Sequence, residues 1–303
     1  MNSNLKALIL AGGNKRINHI NKHFIRLKDK PIVQNSIDAL YENNIWDITL
    51  VCRKKDIDNA ANLEGKVNIV GSKNDFAENL EIAKELVDKK EDPVLVLYGD
   101  HPFTRGHSLK YFLGQCNTAE YDAFHGGPTK DSIDNFKEFY HVGYVHAREF
   151  EFRSGSMLLI KPHKIDYSFL NAVYKIRMQE KIRNTAKLGG LIFWTLRKKW
   201  GWDTLGAIAL YLRHIGIRFL YNHGSELYYA KLKNSESSSI KYLEAYAARA
   251  LSLDGERLRV KAIPMPFGEL SMDIDNFKDY ENYERNYEKI LNIMGQERNN
   301  IKY

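Results

Sequence analysis

A glycine pair near the start of the chain is followed by two basic residues. Gly12 and Gly13 follow the apolar run 8–10, with Ala11 between them and that run. Arg16 and Lys22 follow shortly afterwards. Glycine has no Cβ atom, so backbone N–H groups here can approach a ligand closely. Backbone N–H groups beside cations bind anions such as polyphosphates. The pattern therefore indicates phosphate binding, and a plain turn at the exit of a strand is the alternative.

Three aspartates far apart in the sequence are candidates for holding a divalent cation. Asp100 follows Gly99 at the end of an apolar run, and Asp273 and Asp275 are two residues apart. On a strand, residues two apart face the same side, and two such carboxylates repel unless a positive charge lies near them. Magnesium usually takes one or two protein carboxylates together with phosphate oxygens. The alternatives are that Asp100 caps a turn before Pro102 and that the other two are ordinary loop aspartates.

The elements that must position these residues follow an alternating pattern. Apolar runs at 8–10, 48–51 and 93–98 alternate with segments of helical periodicity at 32–41 and 76–87. Such alternation predicts an α/β fold with a mainly parallel, Rossmann-like sheet and helices on both faces. Ligands of these sheets bind beyond the carboxyl ends of the strands. Gly12 and Asp100 both lie at such ends.

The second half of the chain is less regular. Further strands are predicted at 121–125, 140–146, 218–221 and 227–232, and residues 158–160 form another apolar run. A helix is predicted at 240–251 and a peripheral helix in the tail 276–303. Helical periodicity dominates 165–220. We expect an α/β domain made of residues 1–163 and 252–303, interrupted by a helical insertion at 164–251.

Composition limits the classes of protein to which the chain can belong. With 303 residues, 44% hydrophobic and 27% charged, it has the composition of an ordinary globular protein. The net charge of +7 favours anionic partners. Cys52 and Cys116 are the only cysteines and show no metal-finger spacing, so we expect a reducing, cytoplasmic location. We expect neither a signal peptide nor a membrane span. No pattern typical of nucleic-acid recognition accompanies the charge.

Taken together, the motifs resemble those of the nucleotidyltransferases related to the molybdenum-cofactor guanylyltransferase, the MobA-like family. The matching positions occur in the family's order, at 8–13, Arg16, Lys22, 29–31, 99–102, 273–275 and 279–280. The resemblance covers roughly residues 5–160 and 260–285. The chain departs from the family in the spacing between Gly13 and Lys22 and in the larger helical block. That block resembles an enlarged branch of the family, in which a Gly-rich strand, here 154–156, precedes such helices.

The resemblance implies a reaction and a set of site residues. An acceptor phosphate would attack the α-phosphorus of a nucleoside triphosphate, and pyrophosphate would leave. Mg²⁺, or Mn²⁺ in its place, would be held by Asp100 and by Asp273 or Asp275. Lys22, Asp100 and Arg16 would be the catalytic residues. The nucleotide would be bound by Leu10, Ala11, Gly12, Gly13, Lys22, Glu78, Asn79 and Gly99.

The motifs leave the base and the acceptor open, with a phosphorylated sugar, alcohol or lipid as the expected acceptor class. Two other functions are compatible with the sequence. One is a glycosyltransferase that uses Asp273 and Asp275 to hold a metal ion under a nucleotide sugar. The other is a module that binds a nucleotide without turnover.

The helical block has a composition of its own. Residues 188–218 hold five Lys or Arg against one acid, with Trp194, Trp200 and Trp202 among them. Packing of the apolar residues against the sheet is the simplest interpretation. A cap over the acceptor site, with Arg and Lys on an acceptor phosphate, is a second. Contact with an anionic membrane interface is a third, less favoured one.

Overall fold

In the computed structural model, the described residues are 5–13, 15–73, 75–140, 143–153, 155–168, 170–171, 230, 234–235, 238–253 and 257–300. Most of the predicted helical insertion, including the tryptophan-rich segment 188–218, lies outside them. Among the described residues, no helix has the length and apolar character needed to cross a membrane.

Thirteen strands are present in the described part of the chain. They are β1 (Lys6–Leu10), β2 (Arg16–Ile17), β3 (Ile20–Asn21), β4 (Arg26–Leu27), β5 (Lys30–Pro31), β6 (Asp47–Cys52), β7 (Asn68–Gly71), β8 (Val94–Tyr98), β9 (Ala123–Pro128), β10 (Val145–His146), β11 (Glu151–Phe152), β12 (Met157–Ile160) and β13 (Val260–Met265). Three short hairpins pair β2 with β3, β4 with β5, and β10 with β11.

The remaining seven strands form one sheet in the order β13-β9-β12-β8-β1-β6-β7. β1 lies between β6 and β8 and is parallel to both, with Leu8 opposite Thr49 and Val96. β12 alone among these strands is antiparallel to its neighbours. Residues 7–10 are buried because β1 is covered on both faces. The predicted α/β fold with a mainly parallel sheet is thus confirmed.

Helices cover both faces of the sheet. They are α1 (Gln34–Glu42), α2 (Ile57–Ala61), α3 (Phe76–Glu81), α4 (Gly106–Gln115), α5 (Lys130–Asp134), α6 (Ile240–Leu251), α7 (Phe277–Arg285) and α8 (Tyr287–Asn300), with 3₁₀ turns at Lys54–Asp56, Ile82–Leu86, Pro162–Lys164 and Gly268–Ser271. Alternate strand residues face opposite sides. Ile9 packs in the cluster that contains Leu40 of α1 and Phe112 of α4. Leu8 packs on the other face with Leu80 of α3.

A third apolar cluster places the C-terminal helices against the sheet domain. Tyr283 of α7 is fully buried, and its ring centroid lies 5.8 Å from that of Phe103. Ile290 and Met294 of α8 belong to the same cluster. The tail is therefore an integral part of the core, and the prediction of a peripheral helix was wrong. Tyr283, Ile290 and Met294 are buried, whereas Phe277 at the start of α7 stays exposed.

Several element boundaries also differ from the sequence-based expectation. Pro31 belongs to β5, and α1 begins at Gln34. The strand expected at 140–146 is reduced to β10 among the described residues. β13 was not predicted because Lys261 and Pro264 interrupt its apolar pattern. Pro264 is tolerated there because β13 is an edge strand, where a missing N–H costs no ladder hydrogen bond.

Candidate active site

Two loops at the carboxyl edge of the sheet lie side by side. Gly12 and Gly13 follow β1, and Gly99 and Asp100 follow β8. The Gly99 N–H donates to the carbonyl of Leu10 at 3.0 Å, which ties the start of one loop to the end of the neighbouring strand. The adjacency predicted from the two strand ends is therefore present.

Close packing explains the glycine at position 12. A Cβ atom built on Gly12 would lie 2.8 Å from the Cβ of Ser72 and 3.5 Å from Nδ2 of Asn79. The Asn79 side chain is itself held, because its Oδ1 accepts the N–H of Lys73 at 2.7 Å. The glycine loop thus contacts residue 72, which follows β7, and the first turns of α3.

The same helix carries Glu78, and two further predicted nucleotide contacts are Leu10 at the end of β1 and Ala11 directly after it. The backbone N–H of Glu78 donates at 2.9 Å to Asp75, the N-cap of α3. The Ala11 N–H donates to the carbonyl of Val51 at 2.8 Å. Asn79 of α3 therefore lies beside the Gly12 loop, and Leu10 and Ala11 directly precede that loop.

A tight hairpin returns the chain to the carboxyl edge after the glycines. Asn18 and His19 have φ of 50° and 68°, the left-handed conformation that Asn and His adopt more readily than most residues. They form the turn between β2 and β3. Lys22, which follows β3, donates its backbone N–H to the carbonyl of Lys15 at 3.2 Å. Its side chain is only 6% exposed.

Three carboxylates and the Lys22 ammonium meet at this point. One oxygen from each of Asp100, Asp273 and Asp275 lies within 4.8 Å of the others. Lys22 Nζ donates to Asp100 Oδ2 at 2.6 Å and to Asp275 Oδ1 at 3.2 Å. Lys15 Nζ donates to Asp275 Oδ1 at 2.7 Å. The sequence motifs predicted the three aspartates and Lys22, whereas they did not identify Lys15.

The loop that carries Asp273 and Asp275 is irregular and not a strand. It follows the 3₁₀ turn Gly268–Ser271. Ile274 donates its N–H to the carbonyl of Asp100 at 3.1 Å. At the start of α7, Asp279 Oδ2 accepts the N–H of Asp275 at 2.9 Å. These backbone contacts hold the two aspartates against Asp100 without a strand.

Asp273 is held by two side chains that the motifs did not reveal. Arg153 Nη2 donates to its Oδ1 at 2.9 Å, and the Tyr140 hydroxyl donates to the same oxygen. The Arg153 guanidinium also lies 4.9 Å from the ring centroid of Tyr140. Because β12 is antiparallel, with Met157 opposite Leu97, the residues before it lie at the edge where β8 ends. That register brings Arg153 to the site.

Arg16 is not brought to the carboxylates. Its Nη1 donates to the carbonyl of His19 at 2.6 Å, and its Nη2 lies 3.7 Å from the carboxylate of Asp56. In the structure, the basic residue of this loop that contacts the cluster is Lys15.

Comparison with known proteins identifies the family. Residues 7–179 match the family described as the MobA-like NTP transferase domain. The chain belongs to this family. The prediction from the motifs, that the chain is a member of a nucleotidyltransferase family, is thereby confirmed.

Individual relatives are more distant. A stretch of 104 residues is 32% identical to 2-C-methyl-D-erythritol 4-phosphate cytidylyltransferase of Clostridioides difficile (strain 630), over 32% of this chain and 44% of the relative. The chain thus matches less than half of that relative's length. A solved structure described as a hypothetical transferase from Thermus thermophilus superposes with a TM-score of 0.57 at 21% identity, over 91% of this chain and 99% of its own. This likeness shows a shared fold.

The charges of this MobA-like site balance in the free chain. Burial alone would lower the pKa of Lys22, but the nearby Asp100 and its hydrogen bonds to Asp100 and Asp275 raise it. Burial would raise the pKa of Asp100, but the positive charges of His101, Lys22 and His23 hold it well below its usual range. The two histidines contribute to this only at acid pH, where they are protonated. The Lys22–Asp100 pair is therefore ionised at neutral pH. Lys15 and Arg153 pair with the remaining carboxylates.

Two buried histidines beside the cluster add no positive charge at neutral pH. Burial lowers the pKa of His23 to about 4 and also lowers that of His101. His101 Nε2 lies 3.9 Å from Asp100 Oδ1, and both histidines are almost fully enclosed. They make the surroundings of Asp100 less polar than water, which strengthens electrostatic interactions in the site.

The donor set is suited to a hard divalent cation. The three groups that converge are all carboxylates, the oxygen donors that Mg²⁺ and Mn²⁺ prefer. Tyr140 and Arg153 bond Oδ1 of Asp273, and Lys22 bonds Oδ2 of Asp100. A cation that entered the cluster would compete with Lys22 and Lys15 for the carboxylate oxygens. The two ammonium groups could then donate hydrogen bonds to incoming phosphates.

Proposed function

We propose that this chain is a Mg²⁺-dependent nucleotidyltransferase. It would join the nucleoside monophosphate part of a nucleoside triphosphate to a phosphorylated acceptor and release pyrophosphate. The observation that carries the proposal is the Lys22–Asp100–Asp273–Asp275 cluster beside the Gly12 loop. The family membership supports it.

The reaction is a displacement at phosphorus. An oxygen of the acceptor phosphate forms a bond to the α-phosphorus, and the bond from the α-phosphorus to the bridging oxygen of the β-phosphate breaks. Two anions must be brought together, so the site must chiefly neutralise charge and align the reacting groups. No nucleophilic side chain is needed.

Each group of the site has a part in this scheme. The N–H groups of the Gly12–Gly13 loop would cradle phosphate oxygens, and Asn79 would lie beside the ribose or base. Lys22 and Lys15 would turn from the carboxylates toward the phosphates. Asp100, with Asp273 or Asp275, would hold Mg²⁺, which on binding supplies positive charge to the phosphate oxygens. Arg153 would keep Asp273 in position.

The experiment is pyrophosphate release with each of the four ribonucleoside triphosphates and Mg²⁺, against a panel of phosphorylated sugars, alcohols and lipids. CTP is the first nucleotide to test, because the relative from Clostridioides difficile is described as a cytidylyltransferase. Asp100→Asn is the inactive variant. Asp58→Asn, at an exposed position of α2, is the matched control and should keep full activity.

Other outcomes point to the other functions. Nucleotide binding without turnover across the whole panel would contradict transfer and favour a binding module. Consumption of a nucleotide sugar, with no pyrophosphate formed from triphosphates, would instead favour a glycosyltransferase. Release of pyrophosphate in the Asp100→Asn variant at the parent's rate would show that the metal assignment is wrong.

A further inference from the structure

A cavity of about 430 Å³ lies between the sheet and α6. Leu158 and Val260 form part of its sheet wall, and Leu243, Ala247 and Leu251 line it from the helix. Its volume is in the range of small-molecule sites, roughly 300–1,000 Å³. The helix wall repeats at helical spacing, so one stripe of α6 faces the cavity.

The cavity reaches the edge of the sheet that carries the carboxylates. Tyr98 and Gly155 both line it. Tyr98 precedes Asp100 by two residues, and Gly155 follows Arg153 by two. Because β8 and β12 are paired neighbours, these two lining residues belong to adjacent strand ends. A ligand in the cavity would therefore lie at the same edge of the sheet as the carboxylate cluster.

The lining determines what kind of group fits. Among the described residues that line the cavity there is no Lys or Arg, and most side chains are apolar. The one carboxylate, Glu244, already accepts the N–H of Ala262 at 2.8 Å and lies 3.7 Å from Lys261 Nζ. Burial lowers the pKa of His125 to about 4, so that ring is uncharged at neutral pH.

Among the described lining residues a phosphate finds no cation to pair with, whereas Lys22 and Lys15 are at the carboxylate cluster. A sugar or nucleobase would leave its hydrogen-bonding groups largely unmatched against such walls, at a cost in affinity. A hydrocarbon group instead gains free energy from being removed from water. The cavity is thus suited to the part of an acceptor that is neither phosphate nor polyol.

We propose that the acceptor is the monophosphate of a hydrocarbon alcohol, whose apolar body lies in the cavity while its phosphate lies at the Lys22 cluster. This proposal rests on the proposed nucleotidyl transfer for the position of the phosphate. It names the substrate class of the same site.

The test is direct binding of a series of straight-chain alkyl monophosphates, kept below their micelle concentrations, to the full chain by titration calorimetry without nucleotide. Each added methylene should tighten Kd about fourfold until the cavity is filled. Ala247→Phe, which reduces the cavity, should remove this dependence on chain length. Ala245→Phe, on the exposed side of the same helix, is the matched control and should retain it.

Leu158→Phe reduces the cavity volume from the sheet wall. It provides a second test of the cavity that does not depend on correct folding of the Ala247→Phe variant. Far-UV circular dichroism and inorganic phosphate binding should match the parent in all three variants. A Kd independent of chain length, or a dependence that survives both filling variants, would overturn the proposal.

Transfer assays separate this inference from the proposed function. One outcome is pyrophosphate release with glycerol phosphate or sugar phosphates, while the Kd of alkyl phosphates does not depend on chain length. This would contradict the apolar acceptor and still support nucleotidyl transfer. Chain-length-dependent binding that is lost in both filling variants, without transfer to any acceptor, would contradict nucleotidyl transfer while supporting an apolar ligand. A dependence on chain length that disappears when CTP is bound would show that the cavity takes the nucleobase, which would also overturn the proposal.

Discussion

Replacement of Lys22 by Met should destabilise the free chain far more than loss of a surface lysine. The Lys22 ammonium is almost fully buried and donates to Asp100 at 2.6 Å and to Asp275 at 3.2 Å. Removing one member of a buried ion pair leaves the other charge uncompensated, at a cost of roughly 3–5 kcal/mol. Asp100 and Asp275 keep 19% and 50% of their side-chain exposure, so we expect the lower end, about 3 kcal/mol.

The pH dependence of this loss follows from the two shifted pKa values. The folded pKa of Asp100 is depressed, so its contribution is present above its unfolded value of 3.8 and is lost as pH falls through the folded pKa. The folded pKa of Lys22 is raised, so its contribution is complete below 10.5 and is lost as pH rises through the folded pKa. The difference between parent and variant should therefore be largest between about pH 4 and pH 10.

Urea denaturation at several pH values measures this difference. Lys30→Met is the matched control, because Lys30 Nζ lies 2.6 Å from Asp38 but both side chains are substantially exposed. Such a pair is worth less than about 1 kcal/mol. Equal losses of unfolding free energy in the two variants at pH 7 would refute the claim that Lys22 is a buried, compensating charge.

Three further predictions concern the metal ligands, a buried carboxyl group in the 3₁₀ turn Gly268–Ser271, and the glycine loop. Asp100→Asn should lower pyrophosphate release by orders of magnitude at saturating Mg²⁺ with the fold intact, and near-normal turnover would count against the metal assignment. Burial and the adjacent Glu297 raise the pKa of Glu269 well above 4.5. Above pH 4.5 the folded chain therefore keeps a proton that the unfolded chain loses, so the free energy of unfolding should fall as pH rises. Glu269→Gln should flatten that decline in urea denaturation at pH 5 and pH 8, and an unchanged slope would contradict it. Gly12→Ala places a Cβ 2.8 Å from the Cβ of Ser72 and should weaken nucleotide binding at least several-fold. Fluorescence titration measures this, and an unaltered Kd would show that nucleotide binding does not depend on the close packing of this loop.

The sheet and the position of the site could be predicted because the relevant patterns are local. The runs 8–10, 48–51 and 94–98 are continuously apolar, as central parallel strands require. Strand ends then indicate where a ligand binds, and Gly12 and Asp100 lie at those ends.

The choice between adjacent basic residues was not predictable in the same way. Successive residues of an extended segment point in opposite directions. The left-handed turn at Asn18 and His19 fixes the hairpin so that Lys15 contacts the cluster and Arg16 contacts Asp56. A local pattern of basic residues does not specify that register.

Arg153 and Tyr140 illustrate a second limit of sequence patterns. Their partner, Asp273, is 120 and 133 positions away, and the contact depends on the antiparallel register of β12. Asp273 and Asp275 were expected on a strand. They converge with Asp100 through backbone hydrogen bonds of an irregular loop, and the capping residue Asp279 fixes that loop.

The central claim is that the cluster transfers a nucleotide by displacement at the α-phosphorus. Phosphorus NMR of the full chain with CTP, Mg²⁺ and an alkyl monophosphate measures this directly. The account predicts equal growth of inorganic pyrophosphate and of a diphosphate diester, both absent with Asp100→Asn. Conversion of the triphosphate to inorganic phosphate and CDP, or no change with any triphosphate and any phosphorylated acceptor, would contradict it.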